Sequence, residues 1–272
     1  LMSISTRQIG VVHVLERLAY HHGRLPLKNA AAQFVGAALC MITGQSVGRE
    51  GPAVHMGAAA GATISDALKI PHNAGRILIA CGVASAIGAG FNTPLAGVIF
   101  AMEVVLMEYT ILGFAPVIIA SLTATSLARI VFGDAPAFSV PGIEWSSTGE
   151  LPYVMLMGVV IGLSAAAFIK ATAFFSHVLE TKPYWARIAL AGLITGALAV
   201  PAPEIMGIGY DTVGLAVVGQ ISMAALVLIF FAKMIATSTA IGLGMPGGLI
   251  APTLLMGACL GGSMGMMAND LV

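Results

Sequence analysis

GQSVGREGPAVHMGAAAG, residues 44–61, sets one carboxylate, Glu50, at a glycine-lined break between two uncharged runs. An acid placed within apolar sequence is expensive and is read as functional by default. The stretch is echoed in GMPGGLIAPTLLMGACLG, residues 244–261. Gly44, Gly48, Pro52, Met56, Gly57, Ala58 and Gly61 recur at an offset of 200 as Gly244, Gly248, Pro252, Met256, Gly257, Ala258 and Gly261. Seven identities at one offset predict a duplicated unit.

Composition places this unit in a membrane. Hydrophobic residues make up 58% of the chain and charged residues 9%, with a mean hydropathy of +0.96. A soluble domain carries about 25% charged residues, so a soluble globule is excluded. The uncharged runs 29–48, 77–102, 109–128, 151–169, 188–203, 212–232 and 234–269 are mostly near the roughly 20 residues that cross a bilayer as a helix. The last is too long for one crossing, and its Gly-Met-Pro-Gly-Gly interruption divides it. Backbone exposed at membrane depth is tolerated only against protein or a water-filled cavity, so a broken helix implies a cavity. The expected fold is all-α: a polytopic membrane protein with inverted repeats and broken, re-entrant helices. The first repeat is placed at about 1–132 and the second at about 151–272.

The zero formal charge says nothing about partners, and no basic run points to nucleic acid. Cys40, Cys81 and Cys259 lie in apolar runs and read as small packing residues. The opening Leu-Met-Ser-Ile has no charged segment before an apolar core, so no signal peptide is expected, and the abrupt ends read as those of a piece of a longer chain. Residues 1–28 are the most polar and predict a short helix with a cytoplasmic loop, in which His13, His21 and His22 are solvated. No histidine, acid or cysteine spacing predicts a metal site. Helices are expected at about 29–45, 52–67, 74–89, 94–107, 114–132, 151–179, 186–201, 213–222, 223–240 and 250–268. Asn92 or Thr93 reads as a cap, Pro52 as a first helical residue, and Pro201, Pro203, Gly207 and Gly209 as a further break. Loop 133–150 holds Asp134, Glu144 and Glu150 without Lys or Arg, whereas Lys170, Lys182 and Arg187 surround the next turn. Basic loops face the cytoplasm, which sets the first loop outside and the second inside.

Two glycine-preceded helix starts aimed at one point would make an anion site from backbone N–H groups. Conduction requires binding weak enough to release, which amides supply without a buried cation. Glu50 is itself an anion able to occupy such a site. Burial favours its neutral form and helix termini its charged form, so a proton or a swing of the side chain would open the site to a free anion. Arg49 adjoins the break without being required to face it.

GREGP at 48–52, FNTPLAGVIFAME at 91–103 and GGLIAP at 247–252 resemble three signature segments of the CLC family of chloride channels and proton/chloride exchangers. The resemblance covers nearly the whole chain, as the middle helices of that family's membrane domain. It implies chloride as the transported ligand, no cofactor, a homodimer with one pore per subunit in a plasma or inner membrane, and Glu50 as the gating glutamate. The implied anion-binding groups are Gly48, Arg49, Glu50, Gly51, Gly248, Leu249, Ile250 and Ala251, with the amides around Leu249 and Ile250 coordinating chloride.

Three departures qualify the expectation. The family's first signature, Gly-Ser-Gly-Ile-Pro, should precede the glutamate by 41 residues, where this chain has Gln8-Ile9-Gly10-Val11-Val12, with Ile9 in place of the serine hydroxyl. The exchangers' internal proton-transfer glutamate corresponds to Val104. The family's coordinating tyrosine lies in later helices beyond these residues. Glu103 and Glu108 are possible replacement relays, although a one-residue shift turns Glu103 about 100° around a helix. Valine at 104 leans the reading toward an uncoupled, voltage-gated type of chloride channel. The alternatives are a proton/chloride exchanger, a carrier of fluoride or nitrate, and a non-conducting scaffold subunit. An intramembrane enzyme is disfavoured because His55 is its sole candidate base and no nucleophile accompanies it. Gly44-x₃-Gly48, Gly57-x₃-Gly61 and Gly257-x₃-Gly261 read as close helix contacts.

Overall fold

The computed structural model describes residues 10–21, 23–135, 138 and 148–269. Gln8, Ile9, His22 and Glu144 lie outside the described residues. Regular structure among those described is helical: α1 (Gly10–Tyr20), α2 (Leu27–Ile42), α3 (Glu50–Ala67), α4 (His72–Phe91), α5 (Pro94–Phe100), α6 (Ile111–Phe132), α7 (Leu151–Val178), α8 (Tyr184–Ala199), α9 (Tyr210–Val217), α10 (Met223–Gly242) and α11 (Ile250–Asn269). The helices α4, α6, α7, α10 and α11 are long and apolar enough to cross a membrane. The all-helical, polytopic expectation therefore holds.

The chain divides into two compact units. The first comprises Leu1–Leu39, Arg49–Ala137 and Pro246–Gly248; the second comprises Cys40–Gly48, Phe138–Met245 and Leu249–Val272.

In the first unit α3 lies so close to α4 that a Cβ on Gly57 would stand 2.2 Å from the Gly82 carbonyl oxygen, and one on Gly61 2.3 Å from that of Leu78. Helices approach this closely only through small residues. The Ser121 hydroxyl on α6 donates within reach of the Ala84 and Pro94 carbonyl oxygens, at 3.2 and 2.8 Å. Asn92 is not a side-chain cap; it adopts the left-handed conformation that ends α4 (φ 57°). After α5 the chain widens into a π-helical turn, Ala101–Leu106. Glu103 is exposed on that turn and Glu108 is exposed beyond it.

In the second unit α10 is the central helix. Gly242 lets it approach α7, since a Cβ there would be 2.7 Å from the Thr172 carbonyl oxygen. The Tyr153 hydroxyl on α7 donates to the Met264 carbonyl of α11, and the Tyr184 hydroxyl on α8 donates to that of Gly244 at 3.1 Å. Lys233, fully buried on α10, donates from Nζ to the carbonyl oxygens of Ile205 (2.9 Å) and Gly207 (2.8 Å). A cation in an apolar helix thus pins the predicted 201–209 break. α9 starts and stops earlier than its apolar pattern implies, because Gly209 (φ 83°) opens it and Gly219 (φ 72°) follows its end. Among the described residues the Gly257 and Gly261 pair does not mediate close packing, since none of them lies within 4 Å of a Cβ built on either.

Candidate anion site

The repeated sequence gives a repeated backbone. At the first break Gly44 (φ 74°) donates to the Met41 carbonyl at 3.0 Å and Gln45 to that of Cys40 at 2.9 Å. At the second, Gly244 (φ 90°) donates to the Ile241 carbonyl and Met245 to that of Ala240, both at 2.9 Å. Each is the paired hydrogen bond that ends a helix through a left-handed glycine. Five residues later α3 begins at Glu50 and α11 at Ile250, so Pro52 and Pro252 are third rather than first residues of their helices.

Within the first unit the two glycine turns meet. A Cβ on Gly51 would stand 2.7 Å from the Gly247 carbonyl oxygen. One on Gly248 would stand 2.7 Å from the Gly51 amide nitrogen, 3.0 Å from that of Glu50 and 2.9 Å from Glu50 Oε2. The first two backbone nitrogens of α3 and a Glu50 carboxylate oxygen therefore crowd the position a side chain at 248 would take, which leaves room only for glycine. α1 also starts here. Gly10 (φ 69°) lies against Gly51, and its amide donates to Gln33 Oε1 at 3.1 Å.

Glu50 is 4% exposed. Burying a carboxylate costs several kcal/mol of hydration, while one helix N-terminus returns about 0.3–2 kcal/mol. One helix N-terminus therefore does not by itself offset the burial of an ionised Glu50. Arg49 is exposed and its guanidinium donates to the Gly90 carbonyl at 2.9 Å, which commits it to the end of α4. Gly48, Leu249, Ile250 and Ala251 belong to the second unit. There Ala251 is fully buried in the first turn of α11 and Leu249 is 39% exposed. Val104 is half-buried on the π-helical turn.

The polar first segment departs from its reading as a solvated loop. His21 is exposed, but His13 is 1% exposed, packed edge-to-face on His55 with ring centroids 5.0 Å apart. Among the described residues no group of three His, Cys, Asp or Glu could hold a metal. Sequence reasoning also passed over Lys233, whose signal was a lone cation between two apolar runs.

A family model described as "Voltage gated chloride channel" matches residues 1–272. A putative chloride channel protein, ClcB-like, of Ralstonia nicotianae is 29% identical over 93% of this chain and 60% of its own length. An H(+)/Cl(-) exchange transporter ClcA of Vibrio parahaemolyticus is 29% identical over 91% of this chain and 54% of its own. The chain thus spans between half and two thirds of the curated relatives it matches. Among solved structures it is similar to a slow cyanobacterial Cl-/H+ antiporter (TM-score 0.84, 24% identity, 98% of this chain and 64% of that one). It is also similar to a CLC-type fluoride/proton antiporter (TM-score 0.78, 20% identity, 96% of this chain and 69% of that one). At these identities the structural likeness establishes the fold.

Proposed function

This chain belongs to the voltage-gated chloride channel family, and from that premise we propose that it forms part of a chloride pathway across a membrane, with Glu50 as its gate. It is an integral, multi-pass membrane protein. The observation that carries the reading is the convergence of Glu50 Oε2 and the Glu50 and Gly51 amides on Gly248. An ionised Glu50 fills the space that amide donors offer to an anion, and a protonated or displaced one vacates it. The remaining groups proposed for the anion are Gly48, Leu249, Ile250 and Ala251. Arg49 takes a supporting place through Gly90. The activity is transport rather than covalent catalysis, in a plasma or inner membrane, and the assembled form is a homodimer.

Proton-coupled exchange is the mode we take as primary, because the proteins this chain is similar to include an exchange transporter and two antiporters. An uncoupled channel is the second reading, carried by Val104, which cannot hold a proton where the exchangers it resembles carry a glutamate. Simultaneous recording of chloride and proton movement by the full-length protein in liposomes separates them. Uphill proton movement driven by a chloride gradient supports exchange; chloride movement with no proton countercurrent establishes the channel and refutes exchange.

A further inference from the structure

A buried polar cluster stands beside α3 that the anion site does not use. His55 is fully buried, five residues after Glu50 on α3, and neither ring nitrogen has a hydrogen-bond partner among the described residues. Burying an imidazole with its donor and acceptor both unmet is costly, and a leucine would fill the same space without that cost. Against it lies His13, whose Nε2 accepts from Arg17 Nε at 3.1 Å and whose Nδ1 is 3.2 Å from the Asn29 side-chain nitrogen. With Nε2 accepting, Nδ1 must carry the hydrogen. The Asn29 amide is therefore turned with its oxygen toward Nδ1, which also satisfies an oxygen otherwise left without a partner in a residue 2% exposed. Arg17 occupies the His13 lone pair, and it is half-buried, four residues from His13 on α1. His21, four residues further and just past the end of α1, is exposed.

We propose that His55 is a proton-transfer residue for Glu50, loaded through His13 from the exposed end of α1, with Arg17 as the movable block on that route. This rests on the exchange reading above. It puts a titratable group in the role that Val104 cannot fill. When Arg17 swings outward, His13 Nε2 accepts a proton from solvent at the His21 end; that new Nε2–H bond then breaks as an N–H bond forms on an unpartnered ring nitrogen of His55, and His13 returns to its neutral Nδ1–H form. An N–H bond on His55 then breaks as an O–H bond forms on the Glu50 carboxylate. The imidazole returns to neutral and no electrons change hands. Five residues of helix are about 7.5 Å of rise and about 140° of turn, so the transfer requires a swing of the Glu50 side chain together with a chain of waters around α3. The charged and titratable groups that act on the pair are Glu16 and Arg17 from α1 and His21 just past its end; the uncharged Asn29 of α2 bonds His13, and Glu50 lies further along α3. From α4, which packs along α3, Arg76 is bonded to the Leu106 carbonyl and Cys81 is a thiol.

The test is chloride-driven proton uptake by the reconstituted full-length protein, comparing wild type with Glu50→Gln, His55→Leu and His55→Gln. Each variant is first checked for monodisperse elution, and His13→Gln serves if both His55 variants misfold. The expected result is chloride movement within about threefold of wild type and proton uptake per chloride lowered at least tenfold in the His55 variants. Wild-type coupling in folded His55 variants overturns the inference while leaving exchange in place. Loss of chloride and proton movement together assigns His55 to packing and also overturns it. A wild type that moves chloride without protons refutes the exchange reading, and the inference with it.

Discussion

Replacing Gly248 by alanine tests whether the two breaks must touch. The added methyl would sit 2.7 Å from the Gly51 nitrogen and 3.0 Å from the Glu50 nitrogen, both backbone atoms at the start of a helix that cannot turn aside. It would also meet Glu50 Oε2 at 2.9 Å. Ordinary carbon contacts lie at about 3.5–4.0 Å, so relief requires the helix start to move by roughly half an ångström or more. Overpacking of this kind costs about 1–3 kcal/mol, a factor of about 5–150 in the folded-to-unfolded ratio. Gly257→Ala is the matched control: none of the described residues lies within 4 Å of its Cβ, and a helical Gly→Ala change is stabilising by about 0.5–1 kcal/mol. Denaturant unfolding of the purified full-length protein in detergent should therefore separate the two variants by roughly 1.5–4 kcal/mol, with opposite signs relative to wild type. The same Gly248→Ala protein should lose chloride flux, because the methyl occupies the point at which the amides converge. Wild-type stability together with wild-type flux in Gly248→Ala would refute the reasoning.

Lys233→Ala removes a fully buried side chain and orphans two carbonyls. The truncation costs about 2–5 kcal/mol and each orphaned carbonyl about 1–3 kcal/mol. Lys233→Met keeps the volume and relieves the buried charge, so it should cost less than half as much in the same unfolding assay; equal losses would mean that the ammonium matters more than the space it fills. Glu103→Gln should leave the proton-to-chloride ratio unchanged, since Glu103 is exposed on the π-helical turn; a tenfold fall in coupling would make it the relay in place of His55.

The sequence made the site more legible than its surroundings. Glu50 and the echo at residues 244–261 were readable because glycine and proline at fixed spacing carry backbone information directly. The left-handed Gly44 and Gly244 and the helix starts at Glu50 and Ile250 follow from it. The membrane-crossing helices were readable because hydropathy is a local sum. What depends on partners was not. His13 read as loop because α1 is short and polar, yet α3 buries it. Gly57 and Gly61 pack on α4, whereas Gly257 and Gly261, with the same spacing, meet nothing nearby; the motif is equal and the neighbour differs. Helix ends moved by a few residues where a single left-handed glycine overrode the apolar pattern, as at Gly209 and Gly219.

The central claim is that the Glu50 carboxylate occupies an anion's place, and chloride efflux from liposomes holding the full-length protein tests it directly. Wild type and Glu50→Gln are compared across a pH series that brackets the ordinary free-glutamate value of about 4.3, from roughly pH 3.5 to 7.5. Protonation vacates the site, so wild-type efflux should rise as pH falls, while Glu50→Gln, with no charge to remove, should conduct at every pH without that dependence. Efflux that still rises with acidity in Glu50→Gln, as in wild type, would contradict the account.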